Sequence, residues 1–232
     1  MQLFYCPEVI NGTLYLNPDE SRHCFKVLRK KLGDVIHLID GEGNFYEVRI
    51  NMASQKRISF EIIKSWPEEK RPYELHIAIA PPKNIDRFEW FLEKVTEIGI
   101  DEITPVFCDH SERKTIKKER LFKILLSATK QSLKAKLPVL NAPISFRNFI
   151  LKNQSTSCYI AHCENQNKES LKNLPSSNTT ILIGPEGDFS TNEISLALKN
   201  EFTPIHLGNS RLRTETAGVV ACHTVALQNE KI

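Results

Sequence analysis

The sequence predicts an α/β chain in two parts: a small β-rich module over residues 1–70, then an alternating strand–helix domain over 71–232. Three observations predict it. Short apolar runs punctuated by turn signals fill the first part. Two prolines flanking a charge run, at Trp66-Pro67-Glu68-Glu69-Lys70-Arg71-Pro72, mark a linker. Beyond it, continuous apolar runs alternate with segments of helical period, the pattern of a parallel sheet covered on both faces.

In the first part, LFYC, TLYL, VIHLID, NFYEVRINM and RISFEIIKSW read as strands, separated by Asn11-Gly12 and Asp40-Gly41-Glu42-Gly43. A helix is expected from about Pro18 to Lys31. Asn17 or Asp19 would cap it, and Cys24, Val27 and Leu28 would form its buried stripe. Five short strands and a helix make a small barrel.

In the second part, ELHIAIAP, ITPVFC, CYIAH, TTILIGP and PIHLG read as buried strands. Phe88, Phe91, Leu92, Val95 and Ile98 recur at helical spacing, and Gly99 stops that helix. Further helices are expected from about Lys117 to Lys134, near 190–200 and over 214–228.

Length and composition limit the function. The 232 residues carry 41% hydrophobic and 25% charged side chains, ordinary for a folded soluble chain. No apolar run approaches the roughly 18 residues of a membrane span, and the first residues lack the pattern of a secretory signal. The six cysteines form no CxxC pair and read as free thiols. No metal is implied, and the expected compartment is the cytoplasm. The net charge of +3 hides a concentrated basic segment: residues 110–136 hold nine basic and two acidic side chains. A second cluster lies at Arg22, Lys26, Arg29, Lys30 and Lys31. A solvated helix face would explain either one; two together point to a polyanion such as RNA.

Two strand-end loops carry the chemistry. Ile181-Leu182-Ile183-Gly184-Pro185-Glu186-Gly187-Asp188-Phe189-Ser190 runs from a strand into a helix, with Ser190 and Glu193 at capping-box spacing. Leu207-Gly208-Asn209-Ser210-Arg211-Leu212-Arg213-Thr214-Glu215-Thr216-Ala217-Gly218 opens the last helix, with Thr214 or Thr216 as its cap. Ligands of parallel α/β sheets bind where such loops leave the strands. Each loop also reads as an ordinary capped turn. His162 and Cys163, at another strand end, have no partner at metal-ligand spacing.

These two loops closely resemble the signature of the 16S rRNA (uracil(1498)-N(3))-methyltransferases, of the SPOUT superfamily. Glu93-Lys94-Val95-Thr96-Glu97-Ile98-Gly99-Ile100, Ile103-Thr104-Pro105 and Ser111-Glu112-Arg113 resemble the family's central block. Arg22-His23, Val27-Leu28-Arg29, Gly33 and Asp40-Gly41 resemble its N-terminal domain. Two departures stand out. Lys130 and Lys134 occupy positions where many members carry Glu and Arg, and Gly187-Asp188 replaces a glycine pair.

The resemblance implies a PUA-like β-barrel over 1–70 and a SPOUT trefoil-knot domain over 71–232. It implies S-adenosyl-L-methionine as cofactor, 16S rRNA of the small ribosomal subunit as substrate, and a homodimer built on the last helix, Ala217 to Leu227. The cofactor would meet Ala161, His162, Leu182, Ile183, Gly184, Pro185, Glu186, Gly187, Leu207, Gly208, Leu212, Thr214, Thr216 and Ala217. Arg213 or Arg211 would stabilise charge on the uracil oxygens. Glu186 and Glu215 would remove the N3 proton or orient an arginine, although Glu186 also reads as a cap on a neighbouring helix. RNA would be held by Arg22, Arg29, Lys30, Arg113 and Lys114. The competing readings are an RNA-binding or ribosome-assembly protein without activity, a related enzyme acting on transfer RNA or another ribosomal nucleotide, and a phosphotransferase. The last lacks any G-x-x-x-x-G-K-[ST] run.

Overall fold

The computed structural model describes residues 1–153, 157–174 and 178–230. They form two compact units. The first comprises Met1–Lys70 and Leu126–Leu137; the second comprises Arg71–Leu125 and the chain from Pro138 onward.

The first unit holds β1 (Leu3–Tyr5), α1 (Pro18–Arg22), β2 (Val35–Ile39), β3 (Asn44–Ala53) and β4 (Ile58–Pro67). Its sheet runs in the order β1-β2-β3-β4, with β1 parallel to β2 and the other pairs antiparallel. The turn between β2 and β3 is organised by the buried Asp40 carboxylate. It accepts from the Glu42 and Asn44 amides, the Asn44 side chain and the Tyr46 hydroxyl.

Three expectations fail in this unit. TLYL is no strand. It pairs with β4 through one bridge, Tyr15 to Ser59, because Asn17 and Pro18 start a helix at once. The expected helix to Lys31 stops at Arg22 and widens into a π turn over His23–Val27, where the Leu28 amide bonds to the His23 carbonyl. Widening turns Val27 out of the expected stripe, 67% exposed, while Cys24 is buried and Leu28 packs against the core. Trp66 and Pro67, expected in a linker, end β4, and Trp66 stacks on Phe45 at 5.6 Å.

Helix α3 (Lys118–Gln131) divides between the two units. Lys130 pairs with Glu20 at 2.6 Å inside the first unit. The expected continuation of α3 to Lys134 ends early, because Leu133 takes a left-handed φ of 57°.

The second unit holds β5 (Glu74–Ile79), α2 (Ile85–Ile98), β6 (Glu102–Phe107), β7 (Val139–Leu140), β8 (Ile144–Ser145), α4 (Phe146–Lys152), β9 (Ser157–Ala161), β10 (Glu169–Ser170), β11 (Asn178–Ile183), α5 (Thr191–Lys199), β12 (Thr203–His206) and α6 (Thr214–Gln228). Its strands are parallel, in the order β10-β12-β9-β11-β5-β6-β7, with β8 also on β6. Side chains alternate between two buried layers, as strand period dictates. Leu75, Ile77, Ile79, Ile181 and Ile183 join Phe88, Phe91, Leu92 and Val225 from α2 and α6. Ala78, Ile160 and Leu182 join Phe146, Phe149 and Ile194 from α4 and α5. Each buried Phe contributes about 2 kcal/mol. The expected Ser190–Glu193 capping box opens α5. No described helix is long and apolar enough to cross a membrane.

Candidate active site

Because β5, β9, β11 and β12 are parallel neighbours, their carboxyl ends open on one edge of the sheet, and three loops converge there. Residues 161–163, 183–188 and 205–214, with Arg87, Lys168 and Ala217, line a cavity of about 830 Å³. That is within the size of small-ligand pockets. Of the expected cofactor residues, Ala161, His162, Ile183, Gly184, Pro185, Glu186, Gly187, Leu207, Gly208, Leu212, Thr214 and Ala217 are all in its wall. Leu182 is not. Strand alternation turns it to the opposite core, against α4 and α5. Thr216 is not either; it lines an adjoining cavity.

Local bonds fix the walls. The Thr214 hydroxyl donates to the Gly184 carbonyl at 3.0 Å, tying the first turn of α6 to the β11 loop. The expected cap at Thr214 or Thr216 is therefore replaced: Arg213 is the N-cap residue, without a side-chain cap bond, and the Thr214 hydroxyl is committed across the cavity wall. Asp188, at φ 62°, accepts from the Cys163 amide at 2.7 Å. The His110 Nδ1 lies 3.0 Å from both the Gly187 and Asp188 carbonyls. A Cβ at 184 or 187 would stand 3.1 Å from the Phe189 ring or from His110 Cβ respectively, a tight approach that the neighbour would have to relieve by a few tenths of an ångström.

His162 is 6% exposed, and neither ring nitrogen has a partner among the described residues. Burial, reinforced by the Lys168 ammonium, holds its pKa below the usual histidine range. A neutral imidazole with two unmet hydrogen-bonding atoms in a cavity wall fits a polar ligand group.

The acidic and basic residues divide. Glu186 is exposed and accepts from the Lys83 amide at 3.0 Å, just before the α2 cap residue Asn84. Arg211 and Arg213 are exposed and line both cavities. Glu215 is buried; one oxygen lies 3.7 Å from Arg87 Nε and the other, Oε2, has no partner among the described residues. The second cavity, about 590 Å³, is lined by Asp86, Arg87, Trp90, Arg211, Leu212, Arg213, Glu215 and Thr216. Arg87 and Trp90 were not anticipated. They lie more than a hundred residues before Arg211, and only the pairing of β5 beside β11 brings them there.

The residues expected to hold RNA fall in different units. Arg22 and Arg29 are exposed and Lys30 half-buried in the first. Lys114 is exposed in the second, where Arg113 donates to the Pro82 and Lys83 carbonyls. Within the basic segment, Arg120 is engaged by Glu89 and Asp86.

Residues 69–226 match the model of the RNA methyltransferase domain, and residues 16–63 match that of the RNA methyltransferase PUA domain. The chain belongs to the RNA methyltransferase family. It is 29% identical to the ribosomal RNA small subunit methyltransferase E of Rickettsia conorii, over 94% of this chain and 91% of that one. A crystal structure described as a probable rRNA-methyltransferase from Porphyromonas gingivalis superposes with a TM-score of 0.93 at 40% identity, covering 99% and 98% of the two chains. The ribosomal RNA small subunit methyltransferase E of Neisseria gonorrhoeae, bound to S-adenosyl methionine, superposes with a TM-score of 0.85 at 28% identity, covering 96% and 95%. The family inferred from the two loops is thus the family found. So is the class of fold: a small N-terminal β domain of PUA type before a parallel-sheet methyltransferase domain.

Proposed function

We propose that this methyltransferase uses S-adenosyl-L-methionine to methylate N3 of one uridine, the 1498 equivalent, in 16S rRNA of the small ribosomal subunit. The observation that carries the reading is the cavity at the carboxyl ends of β9, β11 and β12, with a basic second cavity beside it. The cofactor supplies an electrophilic methyl on a sulfonium. Backbone groups of Ile183, Gly184, Leu207 and Gly208, with the Leu212 side chain, suit an adenine. His162 offers its two unmet nitrogens to a hydroxyl or carboxylate.

The acceptor needs its N3 proton removed and the charge spreading over O2 and O4 stabilised. Arg213 and Arg211 stand at the junction of the two cavities to supply that stabilisation, in a setting where one fixed donor contributes roughly 10²–10³ in rate. Glu186, in the wall of the larger cavity, and Glu215, in the wall of the second, are the candidates to remove the proton or to orient an arginine. RNA is positioned by phosphate contacts from Arg22, Arg29, Lys30, Arg113 and Lys114, which carry no sequence information themselves.

Three finer elements complete the reading: a trefoil knot, a homodimer and a cytoplasmic site of action. In support of the knot, the chain leaves β12 near one end of the sheet and returns across β9 to lay α6 against β5 and β11. In support of the dimer, α6 presents the exposed Leu227 and the half-buried Val219, Val220 and Ala226.

The test separates two jobs. Arg213→Ala abolishes methyl transfer and leaves the calorimetric Kd for S-adenosylmethionine within about threefold. Arg29→Ala weakens binding to small subunits and leaves the cofactor Kd alone. Equal loss of cofactor binding in both variants overturns the division.

A further inference from the structure

The second cavity is distinct from the larger one, and the two share Arg87, Arg211, Leu212 and Arg213 as lining. A group held there lies directly beside whatever the larger cavity holds. We propose that this second cavity is the acceptor-base subsite, selective for a flipped uracil ring, with Arg87, Glu215 and Trp90 as its recognition residues. The inference rests on the methyltransferase reading above and adds the residues that meet the base.

The reacting edge of uracil presents an acceptor, a donor and an acceptor in sequence: O4, N3–H and O2. Its complement is a carboxylate flanked by fixed cationic donors. Glu215 supplies the carboxylate. Its Oε2 is buried and has no partner among the described residues, a costly state for a carboxylate oxygen unless an N–H donor arrives. Its Oε1 lies 3.7 Å from Arg87 Nε, so the guanidinium and the carboxylate stand side by side.

Arg87 is not held elsewhere by its acidic neighbours: Asp86 and Glu89 are both engaged with Arg120. Trp90 follows Arg87 by three residues on α2, hence on the same helix face, and lines the cavity with 42% of its surface exposed. An exposed indole beside arginines is a stacking platform for a base. A base reaches such a pocket only when rotated out of its helix or loop.

The same arrangement rejects cytosine. Its N3 lacks the hydrogen and would face Glu215, and its amino group would face an arginine. Rejection of this kind, by leaving charged groups unpaired, is the stronger form of discrimination.

The experiment uses the full-length protein and undermethylated small subunits reconstituted with 4-thiouridine at the acceptor position. Near-ultraviolet irradiation should crosslink the base to the tryptic peptide of residues 88–94, which carries Trp90. The crosslink should fall at least tenfold in Trp90→Ala and persist in Trp90→Phe. On unmodified subunits, Glu215→Gln and Arg87→Ala should lower kcat about 10²–10³-fold. The cofactor Kd, measured by calorimetry without RNA, should stay within about threefold, and Arg87→Lys should recover part of the rate. A crosslink mapping elsewhere, or wild-type turnover in Glu215→Gln, overturns the subsite. So does normal transfer by a Trp90→Ala variant whose sedimentation shows a changed oligomeric state, since the indole would then be covered by a second copy of the chain. Loss of transfer and cofactor binding in the unmutated protein would instead sink the reading beneath it.

Discussion

Thr214 is the residue through which the sequence of α6 controls the shape of the cofactor cavity, and Thr214→Val isolates that role. The side chain is buried, and its hydroxyl donates to the Gly184 carbonyl at 3.0 Å. Valine keeps the branched shape and removes the donor. A typical intramolecular hydrogen bond contributes about 1 kcal/mol net, and a buried acceptor left unmet costs about 1–3 kcal/mol. A loss of about 1–2 kcal/mol is expected, or a Tm lower by roughly 2–8 °C for a chain of this size. If the bond also holds the Gly184 loop in its binding position, the same energy weakens S-adenosylmethionine binding by roughly 5–30-fold. Thr214→Ser is the control. It keeps the hydroxyl and loses one methyl, about 0.8 kcal/mol of burial, so it should soften the fold slightly and leave the cofactor Kd near wild type. Calorimetric titration and thermal unfolding of the three proteins decide the matter. Equal cofactor affinity in the Val and Ser variants would refute the coupling between Thr214 and the β11 loop.

Three further outcomes are expected. Burial holds His162 and His76 below the usual histidine range, with Glu102 opposing the shift at His76. The unfolded chain therefore takes up protons first, and stability is lost as pH falls from about 6.5 towards the depressed folded values. Urea unfolding at pH 7.5 and 5.5 should show it, with a shallower slope in His162→Gln; identical slopes would exclude His162 as a contributor. Lys130→Met leaves the largely buried Glu20 carboxylate without its partner and should cost on the order of 3 kcal/mol. Glu20→Gln in the same chain should restore most of it, and strictly additive single-mutant effects would deny the pairing. Of the six cysteines only Cys163 is exposed, and burial pushes the Cys6 and Cys24 thiols up to about 11. Alkylation of the folded protein at pH 8 should add one adduct, at Cys163, before any other; a first adduct at Cys6 or Cys24 would contradict the burial.

What the sequence disclosed depended on how far apart the interacting parts lie. The buried strands β5, β6, β9, β11 and β12 were legible because a parallel strand covered on both faces is apolar throughout. Gly99 and the Ser190–Glu193 pair marked helix ends because caps act over three or four residues. Helix α4 was missed although Ser145 caps it and Phe146, Phe149 and Ile150 recur at helical spacing; seven residues are too few for the period to stand out. The π turn after Arg22 leaves no local signature. Its register is set by burial of Cys24 and Leu28 against the β strands.

The same limit holds at the site. Both strand-end loops were found because glycines, a capping box and two arginines cluster within a dozen residues each. That the Leu182 side chain faces the α4 and α5 layer was not legible, because the two sides of a fully buried strand look alike in sequence. Arg87 and Trp90 were invisible for a different reason. They meet Arg211 and Glu215 only through strand order, which no local pattern encodes.

The most direct test of the central claim is transfer of a radiolabelled methyl from S-adenosylmethionine to undermethylated small ribosomal subunits, followed by nucleoside analysis. The account predicts N3-methyluridine at a single position. Label in another nucleoside, or cofactor binding with no transfer to the particle, would contradict it.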